Sequence, residues 1–249
     1  MTSKLNKDKF MSLGAIFLIV ASFAAERFID MFNKPVGKQA IIVALVFTVL
    51  LGVVCFLISK TENAFFGLLA ALLGYKMMPP DISSLSHDTD SGMLYFIVKK
   101  AAVIIFVLLI YKFYKMQEKS HKINALPILT AMVAVTFANG FSAQTLDYFQ
   151  QKTGSMLGFY FTKFACYILA SLVILIVAYR SNYDSMRFIA YYEFVALGIN
   201  IAKRVAVVIL NLVNAQHVSK SYYCWIAIYI VLIVLFYLAK EKKKKELKL

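Results

Sequence analysis

Eight apolar runs constrain this chain more than any other feature. They lie at roughly 10–32, 38–59, 63–78, 93–114, 125–148, 156–179, 186–213 and 221–239. Most are long enough, at 1.5 Å of rise per residue, to cross the ~30 Å hydrocarbon layer of a bilayer as helices. Only helices and closed barrels satisfy every backbone hydrogen bond in lipid, and continuous runs of this length exclude the alternating pattern of a barrel strand. The expected fold is an all-α integral membrane protein of about eight transmembrane helices. The mean hydropathy of +0.73 agrees with this, and so does a composition of 61% hydrophobic against 16% charged residues. No stretch longer than about fifteen residues is left outside the runs, so residues 1–249 read as a single polytopic membrane domain without room for a soluble catalytic or nucleic-acid-binding domain. The third run is short and stopped by the prolines of "MMPPD" (77–81), which leaves it either crossing with little tilt or re-entrant.

The positions of the charges set the expected orientation. With the N-terminus in the cytoplasm, the tail 1–9, Lys60, Lys112, Lys115, Lys119, Lys122, Arg180, Arg187 and the basic tail 240–249 all fall on one side. Every flank on that side is basic, as the positive-inside rule requires. The opposite flanks are mixed or acidic and include Asp81, Asp88 and Asp90. The chain therefore reads as N-in and C-in. A net charge of +14, which would point to nucleic acid in a soluble protein, here belongs mainly to cytoplasmic flanks. The frequency of lysine, with no glycosylation sequon or organelle signal, points to a bacterial cytoplasmic membrane. A cleavable signal peptide ending at "SFA" before Ala25 is a competing reading of the first run and leaves the other orientations unchanged.

A weak repeat accompanies the even-numbered runs. Each begins near a lysine, namely Lys38, Lys100, Lys163 and Lys220, at spacings of 62, 63 and 57 residues. The pattern fits repeated helical hairpins, although aromatics and lysines are common at helix ends without any repeat.

Lysines and arginines also occur at membrane depth. Lys99 and Lys100 in "YFIVKKAAVIIFVLL" lie about seven residues, roughly 10 Å, inside the fourth run, and Lys163 is similarly deep in the sixth. Lys203 and Arg204 lie near the middle of the seventh, while Arg27 and Lys76 approach the outer ends of the first and third. Long stems can lift Lys99 and Lys163 to the headgroups, but that account suits Lys203 and Arg204 poorly. In "YYEFVALGINIAKRVAVVILNLVNA" the polar residues Glu193, Asn200, Arg204 and Asn211 follow at spacings of seven, four and seven, which puts them on one helical face. Such a stripe should face protein or a water-filled cavity, as a ligand site or as a polar seam between helices.

Across the outer flanks and the spans, eleven basic residues face seven acidic ones. An anion, either a phosphate or a carboxylate, would complete the set. The expected ligand-binding residues are therefore Lys99, Lys100, Lys163, Lys203, Arg204, Asn200, Glu193 and Arg27. The expected function is binding and translocation of an anionic solute or a lipid-linked phosphate through a basic cavity open to the outer side. The alternative is a non-enzymatic membrane subunit, sensor or immunity-type protein whose intramembrane charges pair with a partner protein. Expected partners are membrane lipid, including anionic lipid or lipid phosphate, and a second copy or another membrane protein, with no nucleic acid.

Enzymatic signatures are missing: the chain has no HExxH, GxSxG, glycine-rich phosphate loop or CxxC. A lipid-phosphate enzyme with Glu193 as base is the weaker class. Cys55, Cys166 and Cys224 all fall inside runs and read as small apolar residues, and neither a metal nor a cofactor is expected. "GLLAALLG" places Gly67, Ala71 and Gly74 on one side of the third run, a surface for close helix packing.

Overall fold

The computed structural model describes residues 63–77, 90–117, 122–152, 156–213, 215, 217–218 and 220–247. Arg27 and the runs at 10–32 and 38–59 lie outside the described residues, as do the tail 1–9 and the Asp81, Asp88 and Asp90 flank. Six helices follow in order: α1 (Asn63–Met77), α2 (Asp90–Gln117), α3 (Ala125–Lys152), α4 (Met156–Arg180), α5 (Tyr183–Val213) and α6 (Lys220–Glu246). Among the described residues there is no strand. Three stretches are long and apolar enough to cross a membrane: Gly158–Arg180, Tyr183–Val213 and Lys220–Glu246.

The helices pack as successive hairpins, α1 with α2, α3 with α4 and α5 with α6. α1 occupies the centre and also touches α3 and α5. Every residue of α1 from Phe65 to Tyr75 is buried, the condition that fits a helix apolar on all sides. Its 15 residues make about 22 Å of helix, less than the ~30 Å of a hydrocarbon core. It is a short central post enclosed by longer helices. The sequence explains both ends of its behaviour, since Pro79 and Pro80 disfavour helical geometry in the residues before them and the small residues let α2 approach. A Cβ added to Gly67 would fall 2.5 Å from Phe113, and one on Gly74 would run into the Phe106 ring. Gly67 meets Phe113 and Gly74 meets Phe106, so seven residues forward on α1 match seven back on α2, the register of an antiparallel pair.

At the end opposite Lys76, the connections are clasped by polar groups. Asn182 Oδ1 accepts the backbone N–H of Ser185 at 3.0 Å, a helix N-cap that satisfies one orphan donor of α5. The Asn182 side-chain amide donates to the Lys122 carbonyl, and the Asn124 N–H donates to Ser185 Oγ at 2.8 Å. Pro127 sits in the first turn of α3, where its missing N–H has no helical acceptor to lose. α6 continues past the expected membrane edge at 239 to Glu246. Lys243 donates to the Tyr179 carbonyl and the Tyr179 hydroxyl donates to Glu246, so residues 240–246 of the expected tail extend the helix instead of trailing from it.

The outward faces are apolar. Leu126, Leu129, Val133 and Phe137 on α3 are 54–68% exposed, and Phe161, Leu169 and Ile176 on α4 are 53–75% exposed. Spacings of three and four residues on α3, and of eight and seven on α4, keep each set on one helical face, a stripe that in water would be an association surface and in a bilayer is lipid-facing.

Candidate functional site

α1, α3, α4, α5 and α6 enclose a cavity of about 290 Å³. Its floor and walls are built by helical periodicity. On α5, Glu193, Asn200, Lys203 and Arg204 all line it, because residues seven and eleven positions apart return to the same face. Glu193 and Arg204 are thereby separated by about 16 Å along the helix axis. On α4, Lys163, Tyr167, Ala170, Ser171 and Ile174 repeat at three- and four-residue intervals and form the facing wall. α6 supplies Trp225 and Tyr229, α3 supplies Val135 and Ala138, and Lys76 enters from the last turn of α1.

The charged groups are held in two different ways. Lys76 Nζ lies 3.6 Å from Glu193 Oε2, with side-chain exposures of 12% and 1%. It also sits over the rings of Tyr192 and Tyr167, at 5.2 and 5.8 Å from their centroids. Neither Glu193 oxygen makes a hydrogen bond, and neither does the buried Tyr167 hydroxyl. Arg204 instead rests among three aromatic rings, with its guanidinium carbon 4.9 Å from Trp225, 5.6 Å from Tyr229 and 5.7 Å from Tyr222. Lys163 lies over Phe159 at 5.5 Å and close enough to Arg204 for the two cations to repel each other. Among the described residues neither Lys163 nor Arg204 has a carboxylate partner. Aromatic faces attract cations through their quadrupole, by ~0.5–2 kcal/mol depending on desolvation.

The rings themselves form a packed unit. Trp225 is tilted against Phe164 at 4.2 Å and Tyr229 at 5.4 Å, and Tyr167 meets Trp225 edge-on at 5.7 Å. Leu197 and Leu232 complete that cluster. A second anchor is the 2.6 Å hydrogen bond between the Tyr75 hydroxyl and Thr136 Oγ1, which ties α1 to α3 beside the cavity. The result is a basic concavity with a rigid aromatic wall. Among the described residues, four cations and one carboxylate line it, a chemistry suited to holding an anion by charge-assisted hydrogen bonds.

Of the residues expected from the sequence, the cavity brings together Lys163, Lys203, Arg204, Asn200 and Glu193. Lys100 is on α2, and no described side chain of that helix is among the lining residues. Lys99 is also on α2 but its side chain is not among those described, and Arg27 lies outside the described residues. Asn211 continues the polar stripe of α5 but stops short of the cavity. Lys76 is the residue that sequence reasoning left out of the site. Its only signal was a lysine at the end of a short apolar run next to two prolines, and its partnership with Glu193 spans 117 positions of chain.

No family model matches this chain, and comparison with curated proteins and with solved structures yields no match.

Proposed function

We propose that this protein is a multi-pass protein of a cell membrane, with both termini cytoplasmic, that binds an anionic solute or a lipid-linked phosphate in the α1/α3–α6 cavity and carries it through the bilayer. The observation that carries this reading is the way two cations of the wall are held: among the described residues, Lys163 and Arg204 meet ring faces and no carboxylate. Charges at membrane depth are costly and mark substrate pathways more often than structural seams. Arg204 and Lys163 are held by rings, a contact that uses none of their hydrogen-bond donors. A subunit that pairs its charges with a partner protein calls for those charges on an exterior helix face, and their place in a concavity supports binding instead.

Native mass spectrometry of the protein extracted with its own lipids tests the binding step, comparing wild type with Lys163→Met/Arg204→Met. Flipping of a fluorescent phosphatidylglycerol and uptake of radiolabelled sulfate in reconstituted vesicles test transport. A co-purified anion that the variant loses, together with one of the two transport activities, is the expected result. A protein that retains no anion, or retains another polypeptide in its place, would overturn the reading in favour of the partner-dependent subunit.

A further inference from the structure

Lys76 and Glu193 form a loose ion pair. Charge-assisted hydrogen bonds run at about 2.7–2.9 Å, yet this pair stands at 3.6 Å and neither carboxylate oxygen is hydrogen-bonded to anything described. The lysine is the penultimate residue of α1, so its four-carbon stem can redirect the ammonium without moving the helix body. Tyr167 offers an unused hydroxyl beside it. All three line the same cavity as Lys163 and Arg204.

We propose that Glu193 is a proton-coupling carboxylate. The inference rests on the anion-binding reading above. An anion entering the cavity adds a negative charge next to Lys76 and competes with Glu193 for it. Once the ammonium turns to the anion, Glu193 is a carboxylate that is 1% exposed and has lost its counter-ion. A buried charge without a partner neutralises, so Glu193 takes one proton from solution and its carboxylate becomes a carboxylic acid. The Tyr167 hydroxyl is then free to donate to the anion. No bond other than the O–H of Glu193 forms, and the site gains one anion and one proton together. Release of the anion reverses both steps as Lys76 returns.

The groups that face Glu193 permit this assignment. Among the described residues they are Lys76 from α1, Tyr167 from α4 and Tyr192 of its own helix, with Tyr229 from α6 and Lys163, Lys203 and Arg204 farther along the lining; the described residues that α3 presents are Val135 and Ala138. Among the described residues lining the cavity, Glu193 is the one acid, and it is the carboxylate beside the lysine that the anion draws away.

Isothermal titration calorimetry of the full chain in detergent, in mildly acidic buffers of different ionisation enthalpy, counts the protons. The probes are sulfate, as a soluble anion, and dispersed dimyristoylphosphatidylglycerol, as a lipid phosphodiester; both keep a fixed charge under these conditions. The probe that binds should bring about one proton with each anion, and Glu193→Gln, whose Lys76 is no longer held by a carboxylate, should bind it more tightly with uptake near zero. Infrared difference spectra of the wild type supply a readout that needs no variant, because a carboxylic-acid carbonyl band should appear on anion addition. Binding without proton uptake, or uptake that persists in Glu193→Gln, would overturn the coupling and leave anion binding standing. Failure of both probes to bind would overturn anion binding and coupling alike.

Discussion

Replacing Arg204 with methionine removes one of four cations from the cavity and keeps an unbranched apolar stem against the rings of Trp225, Tyr229 and Tyr222. Two effects have to be separated. For the anion, a hydrogen bond to a charged group contributes ~1.5–3 kcal/mol. The bare attraction of two unit charges about 4 Å apart is ~4 kcal/mol at an effective dielectric of ~20, and solvation lost by both groups lowers it toward that range. The expected loss of affinity is therefore about 10- to 150-fold. For folding, the lost cation–π attraction of ~0.5–2 kcal/mol is opposed by relief of repulsion between Arg204 and Lys163, so thermal stability should change by no more than ~1 kcal/mol. Calorimetric titration with sulfate and with phosphatidylglycerol reads the first effect, and tryptophan-monitored melting reads the second through the single tryptophan, Trp225. Lys115→Met, at an exposed position toward the opposite end of α2, should change affinity by less than about twofold, as distant exposed charges are screened. An Arg204→Met affinity within about twofold of wild type would refute the reasoning. So would an equal loss in Lys115→Met, which would mean that net charge and not the cavity attracts the anion.

Gly74→Ala should destabilise the protein by ~1–3 kcal/mol through overpacking, since its Cβ would meet the Phe106 ring; a lowered melting temperature in detergent that Gly74→Ala/Phe106→Leu partly restores is the expected pattern. Lys76→Met should cost ~3–5 kcal/mol by stranding the buried carboxylate, whereas Lys76→Met/Glu193→Leu should come close to wild-type stability, a contrast that thermal melting of the two variants checks.

Helix positions were legible because hydropathy reports the hydrocarbon layer directly. The expected starts at 63, 93, 125, 156, 186 and 221 fall within three residues of the described ones. The largest discrepancy is the end of α6, expected at 239 and found at Glu246. Apolar runs mark where lipid ends, not where a helix ends, and lysine is a good helix former. Lys240 and Lys243 further anchor the extension over Tyr191 and Tyr179. The cavity was legible only along one helix at a time. Glu193, Asn200 and Arg204 share a face by period alone, so α5 disclosed its half of the wall. Lys100 lies at a comparable distance from its helix end but on a helix that points elsewhere, and depth without direction gave no means of excluding it. Lys76 needed the opposite information, a contact between helices far apart in sequence. The small-residue stripe of α1 shows the same boundary: its period announced a close approach, while the identity of Phe106 and Phe113 as the approaching groups came only from the packing.

The aromatic wall bears on why so many cations can sit at membrane depth beside so few acids. A lysine or arginine there has to be compensated, and the simplest compensation is a carboxylate, which also neutralises it. Of Lys76, Lys163 and Arg204, only Lys76 uses that solution among the described residues, and loosely. Arg204 and Lys163 are covered by ring faces, which lower the cost of burying the cation yet occupy none of its N–H donors and cancel none of its charge. A site built this way remains electrostatically positive while it is empty. Arg204 and Lys163 paired with carboxylates instead would make a polar seam, strong enough to join helices but with little attraction left for a solute. Ring faces in place of carboxylates are thus what the proposed binding site needs and a structural seam does not, and the proposed exchange at Lys76 follows the same logic: Lys76 does have a carboxylate, and its release would change the protonation state of that carboxylate.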